Sequence, residues 1–133
     1  MQFYARRAGR KDTAMKRPLA YITAPWGVDS RENQEKAADY CRQVYEAGYS
    51  PICPLMFTSQ FLRDAVPQEH QDGLDIAQDY LRRSRVLVVC GHGVTEIVKN
   101  DIAIAERLHI TATTLDGILT VKGQGRCSQR KTS

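Results

Sequence analysis

The 133-residue chain is 42% hydrophobic, enough for one domain with one core, and no apolar run reaches the roughly 18 residues that a membrane-spanning helix needs. Its net charge of +4 comes from its ends, because residues 1–17 carry +5 and residues 122–133 carry +4, which leaves −5 for residues 18–121. We therefore predict a domain over residues 18–121 between two basic, solvated tails. The acidic centre argues against nucleic acid as a partner, apart from nonspecific phosphate contacts through the tails.

The first predicted elements are a strand and a helix. Leu19–Thr23 is a short apolar run that stops before Pro25, as expected of a buried strand that leads into a loop. Residues 30–47 place small and apolar side chains at helical spacing, and Gly48 supplies a suitable helix stop.

A second strand and a second helix follow. The segment SPICPLMF, residues 50–57, predicts a short strand that Pro54 ends. Residues 58–73 are polar and predict a connector, with at most one helical turn near residues 60–64. Residues 74–84 predict a helix whose apolar face is formed by Leu74, Ala77 and Leu81.

The clearest strand is the continuous apolar run Val86–Cys90, which is typical of a central parallel strand covered on both faces. Thr95–Leu108 predicts a helix, and residues 109–121 predict a short strand and then an edge element. The apolar side of that helix is assigned to Ile97, Ile102, Ala105 and Leu108.

This alternation predicts an α/β fold: a three-layer, Rossmann-like (flavodoxin-like) parallel sheet of four or five strands with helices on both faces. Ligands of such sheets bind beyond the carboxyl ends of the strands, where the strand order reverses. The prediction therefore places a site where residues 23–27, 53–57, 90–96 and 113–117 converge.

The cysteines and histidines show no metal-ligand spacing. Cys41, Cys53, Cys90 and Cys127 form no Cys-x-x-Cys pair, and the three histidines are scattered. Free, buried thiols in a reducing cytoplasm are the preferred interpretation, and we expect neither a metal nor a cofactor.

Several side chains at the predicted sheet edge are suited to ligand binding. Trp26 either stacks on a base or sugar or fills the core or a subunit interface. Asp29 or Ser30 is expected to cap the following helix and leave backbone N–H groups for an anion. The residues predicted to line the site are Ala24, Pro25, Trp26, Asn33, Pro54, Gly91, Gly93 and Thr95.

Two acids occupy the helix that follows the third strand. Gly91 and Gly93 allow a sharp turn, but they complete neither a dinucleotide fingerprint nor a P-loop. Thr95 is a plausible helix cap, and the helix dipole alone explains Glu96 in the first turn. Asp101 lies in mid-helix, where Asp is unfavourable, and borders the apolar face. It is either solvated or aimed at the sheet edge as a nucleophile or base.

From about Leu19 to Ile118 the sequence resembles the nucleoside 2-deoxyribosyltransferase-like superfamily, especially its small uncharacterised bacterial and phage members. YITAPWG is similar to a first strand that ends in AGP plus an aromatic residue. SPICPLMF resembles a strand that ends in Pro, an apolar residue and an aromatic one. TEIVKNDIAIA runs parallel to the signature S-x-G-M-x-x-E-I-x-x-A, with Thr95 at the Ser and Asp101 at the Glu.

The resemblance implies a nucleoside or nucleotide ligand, a homo-oligomer, and an N-glycosidic transferase or hydrolase. The superfamily's Glu attacks the anomeric carbon, so Asp101 would be the nucleophile or an electrostatic stabiliser. His92 or Glu96 would serve as acid/base or ribose contact, and Trp26 as the base-stacking wall.

Three departures keep other functions open. Asp101 is one methylene shorter than Glu, Ile97 replaces a Gly, and Cys90-Gly91-His92 stand where the superfamily has an Asp. The alternatives are a noncatalytic nucleotide-binding sensor or sponge, and an interaction protein of a mobile element that uses the basic tails.

Overall fold

A computed structural model describes residues 17–126 of the chain, with residues 121–126 described by their backbone alone. In chain order the elements are β1 (Leu19–Thr23), α1 (Ser30–Glu46), β2 (Ser50–Ile52), α2 (Pro54–Thr58), α3 (Pro67–Arg82), β3 (Val86–Val89), α4 (Glu96–Arg107), β4 (Thr111–Thr114) and α5 (Leu115–Arg126). Within these residues, no helix is long and apolar enough to cross a membrane.

The four strands form one parallel sheet in the order β2-β1-β3-β4. The predicted α/β fold with a parallel sheet and helices on both faces is therefore confirmed. The chain passes from β1 to β2 in one direction and from β3 to β4 in the other. The strand order thus reverses between β1 and β3, and the crevice that the fold offers to a ligand opens at their carboxyl ends.

Successive side chains of β1 point to opposite faces of the sheet, and each face has its own buried cluster. Ala20 and Ile22 belong to one buried cluster, which includes Val44 of α1 and Ile118 of α5. Tyr21 points to the opposite face and packs in a second cluster with residues of α3, β3 and α4. Because side chains alternate along a strand, Thr23 follows Tyr21 onto the α3–α4 side, and this places its hydroxyl under α4.

The second strand is short and ends before Pro54, as predicted, but Pro54 also begins a helix that was not expected. β2 ends at Ile52, and Pro54 is the first residue of α2, a position at which its missing N–H costs no hydrogen bond. Pro67 likewise begins α3, so the second half of the predicted connector is helical. Leu74 is 43% exposed, so the apolar face of α3 is narrower there than expected, whereas Leu81 is fully buried.

Three further boundaries or faces differ from the predictions. The element after β4 is the helix α5, which continues to Arg126, beyond the predicted domain end at residue 121. Ile97 is 47% exposed and does not belong to the apolar face of α4. Arg17, assigned to the N-terminal tail, is anchored: its Nη2 donates to the carbonyl of Tyr45 at 2.7 Å. The rest of both predicted tails, residues 1–16 and 127–133, lies outside the described residues.

Candidate functional site

Asp101 of α4 is the carboxylate that lies against the carboxyl end of β1. The Oγ1 hydroxyl of Thr23, at the last position of β1, donates a hydrogen bond to Oδ2 of Asp101 at 2.7 Å. Thr23 is only 1% exposed, and Asp101 is partly buried. The carboxylate of α4 is therefore directed at the carboxyl end of β1, so it is not on the solvated side of the helix. Its other oxygen, Oδ1, accepts no hydrogen bond from any of residues 17–126.

Two opposing effects act on this carboxyl group. Burial raises the pKa of Asp101, and the hydrogen bond from Thr23 lowers that pKa without cancelling the rise. The negative charge of Asp101 reaches its neighbours. The pKa of Tyr21 is raised by burial first and by Asp101 second. Burial is also the main cause that raises the pKa of Cys53 to about 12, and Asp101 is the smallest contributor there.

The loop between β1 and α1 is fixed by its own polar groups. The backbone N–H of Gly27 donates to Oδ1 of Asn33 at 3.0 Å, and Nδ2 of Asn33 returns a hydrogen bond to the Gly27 carbonyl at 2.9 Å. A tight turn precedes this pair, because the N–H of Trp26 donates to the carbonyl of Ala24 at 2.8 Å. Asn33 therefore shapes the predicted ligand loop, and its amide is occupied in doing so.

Trp26, in the loop after β1, is half-buried on the α1 side of the sheet. Its ring packs against the core cluster and lies 6.2 Å, centroid to centroid, from the tilted ring of Tyr40. The core packing that was one alternative for Trp26 is therefore present, and stacking on a base or sugar stays a prediction. Sequence reasoning missed Tyr40 as a neighbour of Trp26, although its position nearly three turns into α1, on the same side as Ala37 and Val44, is a usable signal.

The predicted anion site at the start of α1 is not supported by the cap. Asp29, one of the two candidate capping residues, is the cap, and its Oδ1 accepts from the N–H groups of Arg31 at 3.0 Å and Glu32 at 3.3 Å. The carboxylate of Asp29 thus takes the place that an anion would occupy, and its negative charge repels one.

The glycines after β3 serve the backbone. Gly91 and Gly93 both have positive φ, at +79° and +98°. A Cβ atom at Gly91 would lie 3.1 Å from Cδ of Pro25 and 3.1 Å from the hydroxyl of Tyr40. Gly91 therefore lets the β3–α4 loop pack against the β1–α1 loop, whereas Gly93 faces open space.

The remaining predicted catalytic residues are not gathered around Asp101. The Glu96 side chain is 93% exposed and lies 3.8 Å from Nζ of Lys99, and His92 is also exposed. Thr95 caps α4, with its Oγ1 accepting from the N–H of Val98 at 3.5 Å. Cys90, at the position of the expected Asp, is 1% exposed in the core, and burial raises its thiol pKa to about 12.

Pro54 is fully buried and starts α2, beside an open groove of about 350 Å³ between α1 and α2. The groove is lined by small and apolar side chains with two glutamines: Gln34, Ala37, Ala38, Cys41, Cys53, Met56, Phe57 and Gln60. Among residues 17–126 there is no group of three His, Cys, Asp or Glu side chains that could hold a metal ion.

Residues 18–115 match the family model described as a domain of unknown function, DUF7768. The chain belongs to the DUF7768 family. The DUF7768 match begins just before β1 and ends at the first residue of α5, so it contains all four strands, both crevice loops and Asp101. A search of curated proteins found no match to this chain.

Proposed function

We propose that the chain binds a nucleoside or nucleotide at the crevice between β1 and β3 and cleaves or transfers its N-glycosidic bond through Asp101. The observation that carries the proposal is the Thr23–Asp101 hydrogen bond of 2.7 Å, which holds a partly buried carboxylate at the point where the strand order reverses. The likeness of TEIVKNDIAIA to the nucleoside 2-deoxyribosyltransferase signature supplies the substrate class, and Trp26 supplies an aromatic surface for a base.

The chemistry requires an ionised carboxylate beside a sugar. In the proposed reaction an oxygen of Asp101 bonds to the anomeric carbon while the bond to the base breaks, with its electron pair leaving on the base. A second base or water then displaces the carboxylate. Thr23 favours the ionised form because it donates to Oδ2, and that donation leaves Oδ1 for attack.

A second candidate is a binding module that uses the same crevice without turnover. It is favoured by the positions of His92 and Glu96, which face solvent, whereas Asp101 lies under its helix. A base that departs from a sugar benefits from a proton donor, and neither of these two side chains contacts Asp101. Under this candidate, Asp101 hydrogen-bonds to the ligand and forms no bond to carbon.

The experiment incubates the full chain with 2′-deoxynucleosides and a different free base, and it follows released base and exchanged nucleoside by chromatography. Glu96→Gln is the matched control for Asp101→Asn, because both changes neutralise a carboxylate of α4, one exposed and one buried. We expect products with the unmodified chain and with Glu96→Gln, and none with Asp101→Asn.

Thermal unfolding with each nucleoside and nucleotide separates the remaining outcomes. A ligand-dependent rise in Tm without products supports the binding module and refutes the enzyme. Products that persist in Asp101→Asn refute the role given to Asp101. The absence of both products and Tm shift for every nucleoside and nucleotide refutes both candidates.

We also propose that the protein acts in the cytoplasm. Cys41, Cys53 and Cys90 are all free thiols, which suits a reducing compartment.

A further inference from the structure

Two exposed arginines of the domain lie at the amino edge of the sheet, where the strands begin. Arg85 comes directly before β3, and its backbone N–H donates to the carbonyl of Leu19, the first residue of β1, at 2.8 Å. Arg107 is the last residue of α4, which leads back to the start of β4. Neither side chain forms an ion pair with any of residues 17–126, so both positive charges are available to a partner.

The two basic segments of the chain join the domain at this same edge. Arg17 is hydrogen-bonded to the end of α1, because its Nε donates to the carbonyl of Tyr49 at 3.3 Å and its Nη2 to that of Tyr45. Residues 1–17, which carry +5, therefore meet the domain at the amino edge. The helix α5 begins at the carboxyl end of β4 and packs against β3 and α1, so it runs back to the amino edge. Its end belongs to residues 122–133, which carry +4.

The carboxyl edge, on the other side of the domain, is acidic. The helices α1, α3, α4 and α5 all begin there, and each carries an acid in its first turn: Glu32, Glu69, Glu96 and Asp116. Three exposed cations in the first two turns of α1 and α4 are paired with acids: Arg31, Lys36 and Lys99. The helix dipole explains acids in first turns and Arg107 in a last turn, but it explains neither Arg85 before a strand nor the charge of the two segments.

We propose that the amino edge, formed by Arg85, Arg107 and the segments 1–17 and 122–133, binds the phosphate backbone of nucleic acid without regard to base sequence. Basic groups gathered on one side of a domain are the electrostatic footprint of such binding, because they replace the counterions of a densely charged backbone. The crevice lies at the opposite edge and stays free, so the proposal does not depend on a reaction at Asp101. It gives a place to the phosphate contacts expected of the tails.

The composition of the two segments favours nucleic acid over a lipid surface. In residues 122–133 the one hydrophobic side chain is Cys127, so this segment has nothing to bury among acyl chains. Stable membrane binding needs an apolar anchor in addition to charge. Residues 1–17 place Phe3 and Tyr4 shortly before a run of basic side chains, and aromatic rings of this kind stack on bases.

The experiment measures binding of the full chain to a labelled DNA duplex of about 30 base pairs by fluorescence anisotropy, between about 50 and 200 mM salt. We expect the same Kd for duplexes of unrelated sequence. The association constant should fall with salt on a log–log plot with a slope steeper than about −4.5, the value for about five phosphate contacts.

Charge reversals at the two edges test where the DNA binds. Arg85→Glu and Arg107→Glu should each weaken binding about fivefold and make the slope less steep by about 1. Arg31→Glu is the matched control, since it makes the same change on an exposed side chain at the carboxyl edge, and it should leave Kd and slope unchanged. Tm is measured for each variant to verify that it folds.

A separate variant tests the contribution of residues 1–17. Replacing Arg6, Arg7 and Arg10 by Gln removes three positive charges without touching the described fold, and the slope should become less steep by about 3.

The salt dependence of the unmodified chain does not rely on how any variant folds. Absence of binding at the lowest salt concentration, or a slope shallower than the expected value, overturns the proposal. Equal effects of Arg85→Glu and Arg31→Glu also overturn it, because the amino edge would then have no special part. Vesicles of phosphatidylcholine and phosphatidylserine are tested in the same buffers by co-sedimentation. A lower Kd for the vesicles than for the duplex assigns the edge to lipid and overturns the choice of nucleic acid.

Discussion

Replacing Thr23 by Val tests whether the hydroxyl group of Thr23 stabilises an ionised Asp101. Valine keeps the shape of threonine but cannot donate, so the carboxylate loses the hydrogen bond of 2.7 Å that holds it. Hydrogen bonds to charged groups contribute about 1.5–3 kcal/mol, so the free energy of unfolding at neutral pH should fall by about that amount. For a domain of this size we expect Tm to fall by roughly 6–12 °C.

The cost should depend on pH in a defined direction. Burial raises the pKa of Asp101 above its unfolded value of 3.8, and Thr23→Val should raise this pKa further. Above both folded pKa values the carboxylate is charged, and the full cost of losing the donor applies. As the pH falls through the folded pKa of the variant toward 3.8, the carboxyl group becomes protonated, and the difference between variant and unmodified chain should shrink.

A double-mutant cycle with Asp101→Asn isolates the charge. Thermal or urea unfolding is measured for the unmodified chain, both single variants and the double variant. Because asparagine is neutral and isosteric, Thr23→Val should cost only about 1 kcal/mol in its presence. Thr23→Ser keeps the hydroxyl, so its free energy of unfolding should depend on pH in nearly the same way as that of the unmodified chain. Equal costs of Thr23→Val with Asp101 and with Asn at this position, or a cost independent of pH, would refute the reasoning.

Three further predictions concern single positions and are checked by thermal unfolding. Gly91→Ala should destabilise the fold by about 2–3 kcal/mol, because a φ of +79° is strained for alanine and the added Cβ would meet two side chains. Gly93→Ala, which adds a Cβ in open space, should cost about 1 kcal/mol. Equal losses of stability in the two variants would contradict this packing. Asp29→Ala should cost about 1 kcal/mol through loss of the cap, and Ser30→Ala less than about 0.5 kcal/mol; the reverse order would reassign the cap. Asp101→Asn should raise Tm at neutral pH, and the gain should disappear in acid, since burial penalises only the charged form.

The centre of the sheet could be predicted because the apolar runs of β1 and β3 mark buried strands. Val86–Val89 is apolar throughout, as expected of a central strand whose two sides are both covered by helices. Gly48, which has a positive φ, follows the end of α1 where the sequence indicates a helix stop. The proline signals were ambiguous. Pro54 was expected to end a strand and is also the first residue of a helix, and Pro67, expected to lie in a connector, is the first residue of α3.

The sequence left open whether Asp101 is solvated or directed at the edge of the sheet; the structure shows the second, through a partner that the sequence did not indicate. Thr23 precedes Asp101 by 78 residues, so nothing local in the sequence joins the two side chains. Asn33 and Gly91 hold protein loops, through two hydrogen bonds and a close approach, and their expected contact with a ligand stays a prediction. An Asn or a Gly that holds a loop and one that faces a ligand look the same in the sequence, and the contacts of the loop are seen only in the structure.

The energetic position of Asp101 bears on its purpose. Asp has a low helix propensity and lies here in the middle of a helix. Burial disfavours its charged form, and Thr23 is the one described side chain that donates a hydrogen bond to it. An asparagine would keep this hydrogen bond without the cost of burying a charge. Residues that reduce stability without improving packing are expected where a site needs their chemistry. If Asp101→Asn stabilises the fold and also abolishes ligand binding or turnover, the two measurements together assign the carboxylate to function. If it stabilises the fold and leaves both unchanged, the proposed role of Asp101 fails.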